Sequence, residues 1–427
     1  MSTGLSLSEL RQGYAAGALD PVAVTEAYLD RVAQENPRLN AYVAVTAESA
    51  REAASASAAR WRAGRPASAI DGAPIAVKDN IDMAGVVTAN GLPGGRLAEA
   101  DAPVVARLRE AGAVPLGKTN LHEAAFGTTT FNPHWGMTHN PHREGWTAGG
   151  SSGGSGAAVA AGLAVAALGS DTMGSIRLPA AYCGCFGLKP TQGAVPLEGV
   201  APLAPSLDHA GPLARTAEDA LALLEVLTGR PVEPEGSWHP VRLAAFDGYP
   251  LEAEVEDAMP PLDLPALDWP DYDPSAARMA GLLVIEAEAY AALGIPEGAS
   301  DELRGYLDYG AKLVPERLAA AREAVQRIRK DAAARIGDAV IIAPVAPCGP
   351  FPRSRKAPAN QGELLAFANL TGLPALAFPC GRMANGMPFA LQAIAGPGRE
   401  AALVAASRAF GGGESGVSPP GAAAIVR

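Results

Sequence analysis

The chain has 427 residues, 48% of them hydrophobic, and this length and apolar content suffice for a large buried core. A formal net charge of −11 excludes a basic surface that coats nucleic acid and favours work on small molecules or a protein partner. Four cysteines, Cys183, Cys185, Cys348 and Cys380, are too few for a disulfide framework.

Ser6-Leu7-Ser8-Glu9-Leu10 opens a helix with a serine cap and an early acid, and Pro21–Val32 starts a second with proline in its first turn. Ala41–Val45 reads as a strand and Glu48–Ala63 as an alanine-rich helix. Ala73–Val77 is an apolar strand ending on Lys78, followed by Asp79, Asn80 and Asp82. A helix over Val104–Ala111 and a strand over Ala113–Gly117 lead into a long loop, rich in Gly, Thr, Asn and Pro, that ends at Ala148. Ser155–Ala161 is expected to be helical, Ala164–Leu168 a strand and Leu178–Cys183 a short helix. Thr216–Leu227 is amphipathic, with Glu218 and Asp219 in its first turn.

Pro231–Pro274 is rich in Pro, Glu and Asp and reads as surface excursions around the strand-like Val241–Phe246. Helical patterns resume at Ser275–Leu293 and Pro315–Ile336. Ala339–Ala343, Ala375–Phe378 and Leu391–Ile394 are strands, and Glu400–Phe410 is the last helix. Alternating strands and helices without an internal repeat predict an α/β layered fold.

Met1–Asp30 lacks the basic start and apolar run of a signal peptide, and the fourteen-residue Gly156–Gly169 window is too short to span a membrane. A cytoplasmic protein that binds neither membrane nor nucleic acid is expected.

The most unusual stretch is Gly149-Gly-Ser-Ser-Gly-Gly-Ser-Gly156, joined by an apolar unit to Gly169-Ser-Asp-Thr-Met-Gly-Ser-Ile-Arg177. Gly149–Gly153 matches the G-x-S-x-G elbow formally, which would make Ser151 a nucleophile, but no strand precedes it. Gly112–Thr119 matches the phosphate-loop pattern, yet its interior is an apolar strand. His122-Glu123 begins like a zinc-binding helix, but Phe126 stands where the second histidine belongs. Cys183-Gly-Cys185 has no second pair at zinc-like spacing, so buried thiols are expected. Lys78 is either a strand-end lysine that snorkels or pairs with Asp79 or Asp82, or a base whose pKa burial depresses.

Taken together, Val77-Lys-Asp-Asn80, Gly117-Lys-Thr-Asn120, Gly149–Ser155, Asp171–Arg177, Gly187-Leu-Lys-Pro-Thr191, Ser206-Leu-Asp208, Gly211–Thr216 and Leu370-Thr-Gly-Leu-Pro374 resemble the amidase signature family. The likeness covers nearly the whole chain, with a signature core of about 70–216 and a variable segment of about 231–313. It implies one α/β/α domain over 1–427, with a large twisted mixed sheet covered by helices, hydrolysing a C–N amide bond without metal or organic cofactor. Ser175 would be the nucleophile, Ser151 (after a cis peptide from Gly150) the proton relay and Lys78 the base. The backbone N–H groups of Thr172, Met173, Gly174 and Ser175 would form the oxyanion hole, with Ser152, Asp171 and Arg177 in support.

Phe126, Thr128 and Met173 are expected to line the substrate pocket. Met173 departs from the family's Gly-Gly-Ser and brings a side chain to a normally bare position. Within the family the blocks are most like carboxybiuret hydrolases and general amidases, implying a small polar amide or acylurea-like substrate, with water as co-substrate. A glutamine-hydrolysing amidotransferase subunit is the next relative, although Gln192-Gly-Ala-Val-Pro-Leu197 replaces its usual block after Lys-Pro-Thr. A homodimer and a small accessory subunit both remain open.

Overall fold

Eleven strands form one mixed sheet. From edge to edge they are Tyr42–Val45, Val114–Thr119, Pro74–Lys78, Ala166–Asp171, His209–Ala214, Phe186–Lys189, Ala375–Arg382, Pro388–Ile394, Ala339–Pro344, His239–Leu243 and Ala266–Leu267. The computed structural model describes residues 3–270 and 272–411, so residues 1–2, 271 and 412–427 of the expected domain lie outside it.

Pro74–Lys78 runs parallel to both of its neighbours, and every residue of these three strands is buried. Continuous apolar runs of this kind need cover on both faces, which the helices provide. The alanine-rich helix, Ala47–Arg62, buries Ala50, Ala54, Ser57 and Ala58, a small-residue stripe that brings its axis close to its neighbours. Start signals in the sequence are realised as caps. Ser6 and Glu9 form a reciprocal box, and Asp20 and Thr216 accept from the backbones of Val22 and Asp219.

Several expected boundaries shift. The helix placed at Ser155 begins at Gly153, and the strand placed at Ala164–Leu168 occupies Ala166–Asp171. Val241–Phe246 is a strand over His239–Leu243 followed by a tight turn at Ala244–Phe246. The single helix expected over Pro315–Ile336 breaks after Arg329, because Asp331 takes a left-handed φ of 58°. The Pro231–Pro274 stretch, read as surface excursions, also supplies Ala266–Leu267, which closes one edge of the sheet.

Candidate active site

The C-terminal ends of two adjacent parallel strands create the site. Val77 lies opposite Leu168, so the strands finish together with Lys78 on one and Ser170 and Asp171 on the other. Crevices at such strand ends are the usual ligand positions in α/β sheets. The chain then turns through Thr172–Ile176 into the helix Arg177–Cys183, while Gly149–Ser152 leads into the helix Gly153–Ala160.

Lys78 is fully buried, and its Nζ lies 2.6 Å from Ser151 Oγ and 2.8 Å from Ser170 Oγ. Its two partners are thus hydroxyls, with no carboxylate in contact among the described residues. Burial draws its pKa down to about 7, against the more distant charges of Asp171 and Asp208. Asn80 Nδ2 donates to Ser170 Oγ at 3.0 Å, which helps hold the second hydroxyl against the amine. The neighbouring acid, Asp79, instead pairs with the buried Lys118 at 2.9 Å.

The Gly150–Ser151 peptide is cis. Gly150 has no room for a side chain, since a Cβ there would lie 2.6 Å from the Thr129 nitrogen. Ser152 donates its hydroxyl to the Ser170 carbonyl at 3.2 Å and its N–H to the Ser175 carbonyl at 3.2 Å, tying the glycine-serine run to the second loop.

Asp171 and Arg177 hold that second loop from beneath. Arg177 is fully buried and gives Nε to Asp171 Oδ2 at 3.1 Å and Nη2 to Oδ1 at 3.2 Å. Its other donors reach Leu365, Asn369 and Gln392. Burial opposes the Asp171 charge, but the Arg177 guanidinium outweighs it and keeps the carboxyl well below the usual range. Removing one partner of such a buried pair leaves an uncompensated charge, the costly case.

Gly174 does not match its expected place among the free donors. With φ at +112° its N–H turns back onto Asp171 Oδ1 at 2.7 Å. The N–H groups of Thr172, Met173 and Ser175 make no backbone hydrogen bond among the described residues. Thr172 is fixed through its hydroxyl, which donates to Asp208 Oδ1 at 2.5 Å.

Ser175 is half-buried and opens onto a cavity of about 590 Å³. Phe126, Thr128 and Met173 all line it, as do residues of the helices Pro274–Leu293 and Asp301–Lys312. Phe126 stacks on Tyr306 with ring centroids 4.8 Å apart, and Thr128 donates to Gln361 Oε1 at 2.7 Å.

Comparison with known proteins agrees with this geometry. Residues 23–242 match the family model named Amidase. The chain is 36% identical, over 95% of its length and 95% of the relative's, to a glutamyl-tRNA(Gln) amidotransferase subunit from Anaeromyxobacter dehalogenans (strain 2CP-C). This chain belongs to the amidase signature family. A solved amidase superposes with a TM-score of 0.85 at 33% identity, covering 96% of this chain and 98% of that one. An inhibitor-bound structure described as a vestigial complex revealing the origins of an s-triazine catabolic enzyme gives 0.88 at 30% identity, covering 96% and 99%. The chain is therefore an amidase-family hydrolase acting on C–N bonds.

For an amidase the sequence reading missed several groups at this site. Ser170 and Asn80 sit against Lys78; Asn80 had a signal, lying two residues beyond Lys78, whereas Ser170 lay outside the strand expected over Ala164–Leu168. Asp208, the Thr172 anchor, and the 355–362 segment of the cavity wall were also missed as site residues. Glu123 has a structural role, accepting from the backbone of Ser300 at 2.9 Å and from His134 at 2.8 Å.

Met173 fills a gap that Gly281 leaves: a Cβ on Gly281 would sit 2.5 Å from Met173 Cε. The thioether thereby bridges the second loop and the Pro274–Leu293 helix at the cavity wall. Met173→Gly is expected to raise kcat/KM for bulky acyl groups relative to small ones. A ratio unchanged across a graded series of acyl amides would remove this pocket role.

Proposed function

We propose that this amidase hydrolyses a small polar amide or acylurea-like substrate through an acyl-enzyme on Ser175. The observation carrying the proposal is a fully buried lysine with a pKa of about 7 in hydrogen-bond contact with Ser151, behind a cavity that Ser175 lines. Neutral Lys78 takes the Ser151 proton as Ser151 takes that of Ser175, and the freed Ser175 Oγ bonds to the amide carbon. The N–H groups of Thr172, Met173 and Ser175 then receive the negative oxygen that results, a reading supported by their making no backbone hydrogen bond among the described residues. Collapse breaks the C–N bond, with the proton returning from Lys78 through Ser151 to the departing nitrogen. Water then attacks the ester by the same route, giving the carboxylic acid and restoring Ser175.

A glutamine-hydrolysing role within an amidotransferase is the second reading, favoured by the relative at 36% identity. The test measures ammonia release from primary amides, acylureas, aryl amides and glutamine, with Ser175 labelled in parallel by a fluorophosphonate. Turnover of small amides or acylureas by the isolated chain, with adduct at Ser175, supports the first reading. Ammonia from glutamine alone, together with a co-purifying protein partner, supports the second. Failure of labelling and of all turnover overturns both.

A further inference from the structure

The wall of the Ser175 cavity is backed by a chain of hydrogen bonds whose direction is set from one end. Cys348 supplies the fixed point. The backbone carbonyl of this buried residue can only accept, and among the described residues its donor is the Tyr182 hydroxyl at 3.0 Å. The Cys348 sulfur, 3.3 Å from the same hydroxyl, belongs to that residue as well, so neither contact frees the phenol proton for another partner. Burial pushes the Tyr182 pKa well above the ordinary phenol value, so the group keeps its proton. The phenol oxygen is then an acceptor toward Gln361, whose Nε2 donates to it at 3.0 Å. That contact turns Gln361 Oε1 toward Thr128, and the Thr128 hydroxyl donates to it at 2.7 Å. Gln361 is 1% exposed and Tyr182 2%, too little for water to satisfy them instead. The reversed chain would leave the buried Cys348 carbonyl unpaired, which is the costly arrangement.

Thr128 is the end of this chain that faces the cavity. Its one hydroxyl proton is spent on Gln361, so it offers the cavity oxygen lone pairs, an acceptor and not a donor. Thr128 also borders the relay. A Cβ on Gly150, the residue before Ser151, would lie 2.7 Å from the Thr128 carbonyl carbon. In the proposed mechanism the departing nitrogen takes its proton from Ser151, which puts that nitrogen on the Thr128 side of the cavity. An N–H there can donate to Thr128 Oγ1, and the bond strengthens as the nitrogen gains positive charge in leaving. An ester oxygen at the same place would set lone pairs against lone pairs.

We propose that Thr128 is a specificity-determining residue that accepts a hydrogen bond from the N–H of the departing nitrogen, with Gln361 as the positioning residue that fixes it as an acceptor. The substrate class is thus a primary or N-monosubstituted amide, or an acylurea whose departing nitrogen carries hydrogen, in preference to esters and N,N-disubstituted amides. This rests on the hydrolytic reading above and deepens it.

The test compares kcat/KM for butyramide and benzamide with that for their methyl esters, in wild type, Thr128→Val, Thr128→Ser and Gln361→Met. Each amide shares its acyl group with its ester, and acylation, in which the nitrogen or oxygen departs, governs kcat/KM. Thr128→Val is expected to lower the amide-to-ester ratio by roughly 10-fold or more, with Thr128→Ser restoring most of it. Gln361→Met frees the Thr128 proton to turn into the cavity and should lower the ratio in the same direction. Continued labelling of Ser175 by a fluorophosphonate, which needs no N–H, shows that a variant keeps its fold and nucleophile. An unchanged ratio in Thr128→Val, equal losses on amide and ester, loss of labelling in both Thr128→Val and Gln361→Met, or a wild type that cleaves esters alone overturns the acceptor role while leaving the Ser175 chemistry standing. A wild-type chain whose Ser175 neither labels nor cleaves any amide or ester overturns the hydrolytic reading itself.

Discussion

Ser175→Ala is expected to lower kcat/KM by roughly 10⁴-fold or more, because no other serine and no cysteine lines the cavity beside the free donors of the second loop among the described residues. The variant should fold as the parent does. Ser175 is half-buried and its hydroxyl makes no hydrogen bond with the described residues, so the substitution removes no contact that the fold uses. A thermal midpoint within about 2 °C of the parent is the corresponding expectation. Residual activity above a tenth of the parent level would show that bond cleavage runs through another group.

The second large effect concerns Lys78. A base must be neutral to accept a proton, and burial has brought this amine to a pKa of about 7. With an unperturbed pKa of about 10.4, fewer than roughly one chain in a thousand would carry the neutral amine at pH 7. The sign follows directly: kcat/KM should fall about tenfold per pH unit below the pKa and level off above it. Lys78→Met should abolish turnover to about the same degree as loss of the nucleophile and eliminate this limb from whatever activity remains. A wild-type profile that is flat from pH 5.5 to 8.5 would rule out a titrating lysine base.

The proposed trio of Lys78, Ser151 and Ser175 came from the family resemblance, and the sequence around each of the three is locally unusual. A lysine closing a wholly apolar strand, glycines where no Cβ fits, and a serine next to a buried Asp–Arg pair all leave short-range marks. Most outer strands were legible as well, being short runs of branched residues.

The middle of the sheet was not. His209–Ala214 pairs with strands on both sides, yet it contains Gly211 and Pro212, residues that argue against an interior strand. Gly211 is there because a Cβ would meet the Leu188 carbonyl at 2.3 Å, a contact made by a strand distant in sequence. Glu363–Thr371 is likewise buried along its whole length and shows no amphipathic face to read.

The burial of Lys78 outside the cavity lining would have a consequence for the enzyme's lifetime under the proposed mechanism. An amine that is half deprotonated at neutral pH is a strong nucleophile, and an acyl ester is a good electrophile. Direct contact would transfer the acyl group to nitrogen and leave an amide the enzyme could not readily cleave. Lys78 instead lies fully buried against Ser151 and Ser170, outside the lining of the cavity onto which Ser175 opens. In the proposed relay, protons would pass through the Ser151 hydroxyl and carbon would not. In that mechanism Ser151 would act as insulation, protecting Lys78 from the intermediate it helps to make.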